Sequence, residues 1–210
     1  MNATDYLKLS PIVPVVVLDD EKHALPLAEA LLEGGINIME ITLRSDAALA
    51  SIEHIASELP EMHVGAGTVI DARQMIKVRD AGGRFSFSPG INDELLLCAG
   101  EEKITFIPGV ATASEVMLAI QHKIEACKLF PASAVGGIGL LKGFGGPFSS
   151  MQFCPTGGIS LGNLNDYLAL PNVICVGGSW IAEKKSVADN DFAHITELCK
   201  QALDSIRQSI

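Results

Sequence analysis

Two apolar segments each carry ionisable side chains where few would be expected. In Ile38-Met39-Glu40-Ile41-Thr42-Leu43-Arg44, alternate residues of an extended strand face opposite ways. That sets Glu40, Thr42 and Arg44 on one face and Met39, Ile41 and Leu43 on the other. In Ala126-Cys127-Lys128-Leu129-Phe130-Pro131 the same period groups Lys128 with Ala126 and Phe130. Burial strips hydration from an ammonium and favours the free amine, which can attack a carbonyl to form a Schiff base. A carboxylate in the same cavity, such as Glu40, can then move protons. Both segments also have a structural reading. Glu40 and Arg44 can close a strand end as an ion pair, and Lys128 can reach out to solvent or pair with Glu40 without chemistry.

Glycine-rich stretches follow several apolar runs: Gly65-Ala66-Gly67-Thr68, Pro89-Gly90, Pro108-Gly109, Pro155-Thr156-Gly157-Gly158 and Gly177-Gly178-Ser179. Glycine lets backbone N–H groups approach an anion, and the last two stretches fall where a parallel barrel commonly holds phosphate, after strands seven and eight. Tight turns use glycine equally well.

The elements that must position these residues are legible as an alternation. Short apolar, β-branched runs recur at Ile12–Leu18, Ile38–Leu43, His63–Val69, Phe85–Ser88, Ile104–Ile107, Ala126–Phe130, Gln152–Pro155 and Val173–Val176, giving eight expected strands. Helix-period faces lie between them, one through Ala24, Leu27, Ala28, Leu31 and Leu32 and another through Ile52, Ile55, Ala56 and Leu59. Asp71 and Ser160 are expected helix caps, Thr112 with Glu115 fits a capping box, and Gly34-Gly35 and Gly82-Gly83 are expected stops. Strands that alternate with helices imply a parallel sheet, and eight repeats imply an α/β fold of the (β/α)8 TIM-barrel type. An open doubly wound sheet is the competitor. A short N-terminal helix over Asn2–Leu9 would plug the barrel bottom, and Asp191–Ile206 reads as a final amphipathic helix. One domain over 1–210 is expected.

Composition narrows the function. The chain has 210 residues, 48% hydrophobic and 19% charged, with Lys+Arg 15 against Asp+Glu 25 and a net charge of −10, a field that repels a phosphate backbone. Nucleic acid is therefore not an expected partner. Five dispersed cysteines, Cys98, Cys127, Cys154, Cys175 and Cys199, suit reduced thiols in the cytoplasm better than a disulfide framework. No apolar run reaches membrane-spanning length, and no secretory leader is indicated. The five histidines lack zinc-binding spacing, and neither a dinucleotide fingerprint, a P-loop nor a Gly-x-Ser-x-Gly elbow is present.

Over nearly its whole length the sequence resembles the class I 2-keto-3-deoxy-6-phosphogluconate (KDPG) / 4-hydroxy-2-oxoglutarate (KHG) aldolases. The segments that carry the resemblance are Glu40-Ile41-Thr42-Leu43-Arg44, Gly65-Ala66-Gly67-Thr68-Val69, Ser88-Pro89-Gly90, Ile107-Pro108-Gly109, Lys128-Leu129-Phe130-Pro131-Ala132, Cys154-Pro155-Thr156-Gly157-Gly158-Ile159 and Gly177-Gly178-Ser179-Trp180. The resemblance implies a homotrimeric TIM-barrel lyase of the Entner-Doudoroff pathway that needs no metal or other cofactor. Its substrates would be small 2-oxo acids. KDPG would give pyruvate and glyceraldehyde 3-phosphate, and KHG pyruvate and glyoxylate. By the same resemblance Lys128 forms the imine and Glu40 is the general acid/base, acting through a water. Arg44, Thr68 and Thr156 would surround the carboxylate and carbonyl end, while Pro89 and Phe130 wall the pocket. Gly157, Gly158, Gly178 and Ser179 would hold the phosphate.

Two positions depart from the family pattern. Val17 stands where many relatives carry an arginine at the end of the first strand, and Gly139 where some carry a lysine, and both bear on phosphate affinity. The alternatives are an aldolase for the 6-phosphogalactonate epimer or an unphosphorylated 2-keto-3-deoxy acid, a phosphosugar isomerase on the same fold, and a phosphometabolite-binding barrel without chemistry.

Overall fold

The computed structural model describes residues 1–208; the last two positions of the expected 1–210 domain lie outside the described residues. Strands form at Ile12–Val16 (β1), Ile38–Thr42 (β2), His63–Gly67 (β3), Phe85–Phe87 (β4), Thr105–Ile107 (β5), Gly109–Val110 (β6), Ala126–Leu129 (β7), Gln152–Pro155 (β8) and Val176–Gly178 (β9). The α-helices precede, separate and follow them: Ala3–Leu7 (α1), Ala24–Glu33 (α2), Ala48–Glu58 (α3), Ala72–Asp80 (α4), Asp93–Glu102 (α5), Ala113–Gln121 (α6), Gly137–Gly145 (α7), Leu164–Leu168 (α8), Lys184–Ala188 (α9) and Phe192–Arg207 (α10).

The strand pairings are parallel and form two sheets, one ordered β5-β4-β3-β2-β1-β9 and the other β6-β7-β8. Pro108, which has no N–H to give a ladder, separates β5 from β6. Its carbonyl still accepts the Lys128 N–H at 2.8 Å. Between β8 and the approach to β9, the bridges Phe153↔Val173 and Thr156↔Gly177 are present. Glu40 of β2 and Lys128 of β7 belong to different sheets yet touch, so the two sheets curl toward each other. The fold is thus α/β with curled parallel sheets.

Most strand residues are buried, as parallel strands covered by helices must be. Phe85, Phe87 and Phe153 are among the largest fully buried side chains, each stabilising by roughly 1.5–3 kcal/mol relative to exposure. The N-terminal helix forms where expected. Tyr6 lays its ring 5.8 Å from His63 and 5.4 Å from Phe85, at the starts of β3 and β4.

Local signals explain most boundaries. Asp71 caps α4 by accepting the Gln74 N–H at 2.8 Å, and Thr112 with Glu115 closes the capping box at α6. Gly34 follows α2, and Gly35 takes a left-handed φ of +89. Ser160 is not a cap. The helix starts later, at Leu164, because Asn163 Oδ1 accepts the Ser160 N–H at 2.9 Å and Asn163 Nδ2 donates to Gly158 O, which folds the intervening residues into a turn. The eighth expected strand, Val173–Val176, shifts to Val176–Gly178. Val173 makes only a bridge, and the two glycines join the ladder, where the bare backbone of Gly177 leaves room for the Thr156 side chain and that of Gly178 for the Trp180 ring.

Candidate active site

Glu40 and Lys128 lie within β2 and β7, and Arg44, Thr68, Pro89, Phe130 and Thr156 lie just beyond the C-terminal ends of their strands, the end at which parallel α/β sheets present ligand groups. Glu40 lies opposite Val15 of β1 and Gly65 of β3, and Lys128 lies between Gly109 and Cys154. Period two then aims Glu40, Thr42 and Lys128 inward, where each is buried.

Lys128 Nζ donates to both oxygens of Glu40, at 2.9 and 3.1 Å. It also lies 5.0 Å from the Phe87 ring centroid and 5.4 Å from that of Phe130, within cation–π range. The lysine does not reach solvent, since it is 5% exposed. Glu40 is paired with Lys128 and not with Arg44, whose Nε instead donates to Thr42 Oγ1 at 3.2 Å. Gly67, opposite Thr42 across the β2–β3 ladder, has its place for a steric reason. A methyl there would overlap the Glu40 carboxylate.

These groups line a cavity of about 190 Å³ bounded by Val15, Glu40, Thr42, Arg44, Thr68, Pro89, Lys128, Phe130 and Thr156. One acidic and two basic side chains give the lining a net charge of +1, which suits an anionic guest. Thr68 holds a left-handed φ of +60, a conformation that costs a β-branched residue energy and recurs at ligand-binding positions. Pro89 is set by a tight contact between chain segments, because a side chain at Gly109 would strike the backbone of Ser88 and Pro89.

Directly after Thr156 of the cavity lining, Gly157 and Gly158 adopt φ of +99 and +80, which an L side chain resists. The Thr156↔Gly177 bridge brings this turn beside Gly178 and Ser179. A Cβ at Gly158 would collide with the Ser133 hydroxyl, and one at Gly178 with the Trp180 ring. Seven of the expected site residues therefore line one cavity, and Gly157, Gly158, Gly178 and Ser179 follow in sequence on its lining residue Thr156 and on Thr156's bridge partner Gly177.

Three participants carry weaker sequence signals. Thr42 shares the polar face of β2. Val15 follows from the period of β1, but an apolar residue in an apolar strand announces nothing. Phe87 reads as core and is fully buried, yet it sits under the Lys128 ammonium. Among the described residues, no group of three or more His, Cys, Asp or Glu is placed to hold a metal ion, and no helix is long and apolar enough to cross a membrane.

Comparison with known proteins identifies the family. The family model for KDPG and KHG aldolase matches residues 3–198. The KHG/KDPG aldolase of Escherichia coli (strain K12) is 44% identical over 206 residues, covering 98% of this chain and 97% of that protein. The 2-dehydro-3-deoxy-phosphogluconate aldolase of Pseudoalteromonas atlantica is 47% identical over 203 residues, covering 97% and 94%. Among solved structures, the KDPG aldolase from Legionella pneumophila, with pyruvate captured at low pH as a covalent carbinolamine intermediate, has a TM-score of 0.94 at 44% identity. That match covers 96% of this chain and 98% of the other.

Proposed function

The chain belongs to the KDPG and KHG aldolase family and is an aldolase, a carbon–carbon lyase, and from that premise we propose that it is a Schiff-base enzyme acting through Lys128. The proposed substrates are KDPG, cleaved to pyruvate and glyceraldehyde 3-phosphate, and KHG, cleaved to pyruvate and glyoxylate. The observation that carries this reading is the buried Lys128–Glu40 contact at 2.9 Å on the wall of a cationic cavity.

Glu40 is near enough to take a proton from the Lys128 ammonium directly, which leaves the amine free to attack C2 of the 2-oxo acid. The resulting carbinolamine loses its hydroxyl as water, using the proton Glu40 took from Lys128, and becomes a protonated imine, with Glu40 again a carboxylate. When the C3–C4 bond breaks, its electron pair moves through C2 onto the imine nitrogen, giving an enamine, while Glu40 accepts the C4 hydroxyl proton through a water. The aldehyde leaves. Protonation of the enamine at C3 and addition of water to the imine then release pyruvate and restore Lys128. The imine serves as the electron sink, so the reaction calls for no cofactor beyond the lysine.

Arg44, Thr68 and Thr156 are the proposed contacts for the carboxylate and carbonyl end, with Pro89 and Phe130 as walls. Arginine suits a carboxylate because its planar fork matches two oxygens. Gly157, Gly158, Gly178 and Ser179 are the proposed phosphate cradle, in which left-handed glycines leave backbone N–H groups accessible. The curled sheets are read as a closed (β/α)8 barrel forming one domain, and the protein as a cytoplasmic homotrimer.

Borohydride reduction with pyruvate, followed by peptide mass spectrometry, tests the mechanism. The expected result is a reduced pyruvyl adduct on the peptide containing Lys128. A folded protein with no adduct, or one carried by another lysine, overturns it.

A further inference from the structure

Arg44 is the charged residue that the Lys128–Glu40 pair leaves unneutralised in the cavity lining. Its side chain is held at one point. Nε donates to Thr42 Oγ1 at 3.2 Å, and among the described residues neither Nη1 nor Nη2 makes a hydrogen bond or ion pair. The terminal fork is therefore free to receive an anion, and the stem is what the protein fixes.

Thr42 is suited to fixing it. The residue is 2% exposed and itself lines the cavity. Its hydroxyl donates to the Val16 carbonyl at 3.1 Å, so its one proton is committed to β1 and a lone pair is turned toward Arg44 Nε. The β2 backbone adds a second constraint, since the Arg44 N–H donates to Thr42 O at 2.8 Å. One residue on, Ser45 Oγ donates to Leu18 O. The exit of β2 is thus tied to the exit of β1 on both sides of Arg44.

We propose that Thr42 is a positioning residue that sets the Arg44 guanidinium for the substrate carboxylate. The proposal rests on the reading of Arg44 as the carboxylate contact. Without the Thr42 hydroxyl, Nε loses its acceptor, the long side chain regains rotamers, and ordering it again is charged against binding of the 2-oxo acid. The aldehyde half of the substrate lies beyond this contact and is unaffected. Valine is the informative replacement because it keeps the branched shape and removes the acceptor; serine keeps the acceptor and removes the methyl.

The test is steady-state kinetics in the condensation direction, with pyruvate and glyceraldehyde 3-phosphate varied separately. In Thr42→Val the KM for pyruvate is expected to rise about tenfold, the loss of one hydrogen bond to a charged group. The KM for glyceraldehyde 3-phosphate stays within about twofold, the spread of ordinary context effects. Thr42→Ser restores the pyruvate KM. In an Arg44→Ala background, which by itself raises the pyruvate KM, adding Thr42→Val produces no further rise. If valine is not tolerated, Thr42→Ala removes the same acceptor and carries the same expectation. An unchanged pyruvate KM in Thr42→Val, an equal loss for both substrates, or a full Thr42 effect that persists without Arg44 overturns the positioning role while leaving the aldolase reading intact. An unchanged pyruvate KM in Arg44→Ala overturns the carboxylate role of Arg44 itself, and the proposal with it.

Discussion

Lys128 Nζ lies within hydrogen-bonding distance of both carboxylate oxygens of Glu40, at 2.9 and 3.1 Å, although the two residues are 88 positions apart in the chain. A buried pair of this kind is weak evidence for stability, because desolvation offsets much of the attraction. Its placement on a cavity wall is what makes it chemically useful. Lys128→Arg keeps a cation against Glu40 but cannot form an imine. It is expected to remain folded by thermal melt while lyase turnover falls to background. Lys128→Ala is expected to be equally inactive and less stable, since it leaves a buried carboxylate unpaired. Substantial turnover in the arginine variant would remove Lys128 from the mechanism.

Glu40→Gln separates two duties of the carboxyl. The amide keeps the size of the side chain and can accept one hydrogen bond from Lys128, but it cannot take up a proton. Cleavage is expected to slow about 10²–10⁴-fold, the usual contribution of a positioned acid/base group. Trapping by borohydride with pyruvate is expected to persist at a reduced rate. Loss of trapping as well as cleavage would mean that no base other than Glu40 can free the Lys128 amine for imine formation.

Gly67 tests the geometry of the same carboxylate without altering any ionisable group. A methyl at Gly67 overlaps Glu40 Oε1, so Gly67→Ala must move the carboxylate off Lys128. Misplacing a reacting group by about 1 Å can cost on the order of 100-fold in rate, and that loss in kcat is expected here. Gly143→Ala, in α7 where an added Cβ meets nothing within 4 Å, serves as the control. It is expected to leave kcat unchanged and to raise stability by up to about 1 kcal/mol through helix propensity. Equal effects of the two substitutions would mean that Gly67 matters only to the backbone.

Much of this arrangement was legible in the sequence. Period-two alternation was enough to turn Glu40, Thr42 and Arg44 to one face and to separate Lys128 from Cys127, because parallel strands bury both faces and leave few places for charge. The partnership itself was not legible. Whether Glu40 pairs with Arg44 or with Lys128 depends on how far the sheets curl, and Arg44 turned out to bond Thr42 instead. Val15 and Phe87 were hidden because apolar residues in apolar strands look alike whichever cavity they border. The Ser160 cap failed because Asn163, three residues later, makes a competing side-chain turn. The shift of the last strand onto Gly177 and Gly178 goes with space left for Thr156 at the first and for Trp180 at the second, and the Thr156 contact is one no local pattern encodes.

All five cysteines are buried and free. Burial pushes the Cys127 thiol up to about 12, and Cys199 likewise to about 12. Thiols raised so far carry almost no thiolate near neutral pH, and the thiolate is the reactive form. The native protein is therefore expected to resist iodoacetamide at pH 8, with Cys127 and Cys199 modified only after unfolding in guanidinium. Mass spectrometry of alkylated peptides reads this directly. Rapid native labelling of Cys127 would show that β7 opens locally.

His63 makes a prediction about acid stability. Burial first, and the Arg84 guanidinium second, hold its imidazole below the ordinary value of 6.5. Arg84 Nη1 lies 2.7 Å from Nδ1, a contact in which the neutral ring accepts. Between the lowered folded value and the ordinary one, the unfolded chain binds more protons than the folded chain, so stability rises with pH across that window. The contribution of His63 is fully present above pH 6.5 and is lost as pH falls through the folded value. Melting temperatures at pH 7.5 and pH 5.0 are expected to drop further in the wild type than in His63→Gln, which does not titrate. The remaining titratable groups are common to both proteins and largely cancel in the comparison. Equal drops would show that the ring is protonated in the folded state without cost, with Arg84 turning away to another acceptor such as the Pro60 carbonyl it already contacts through Nη2.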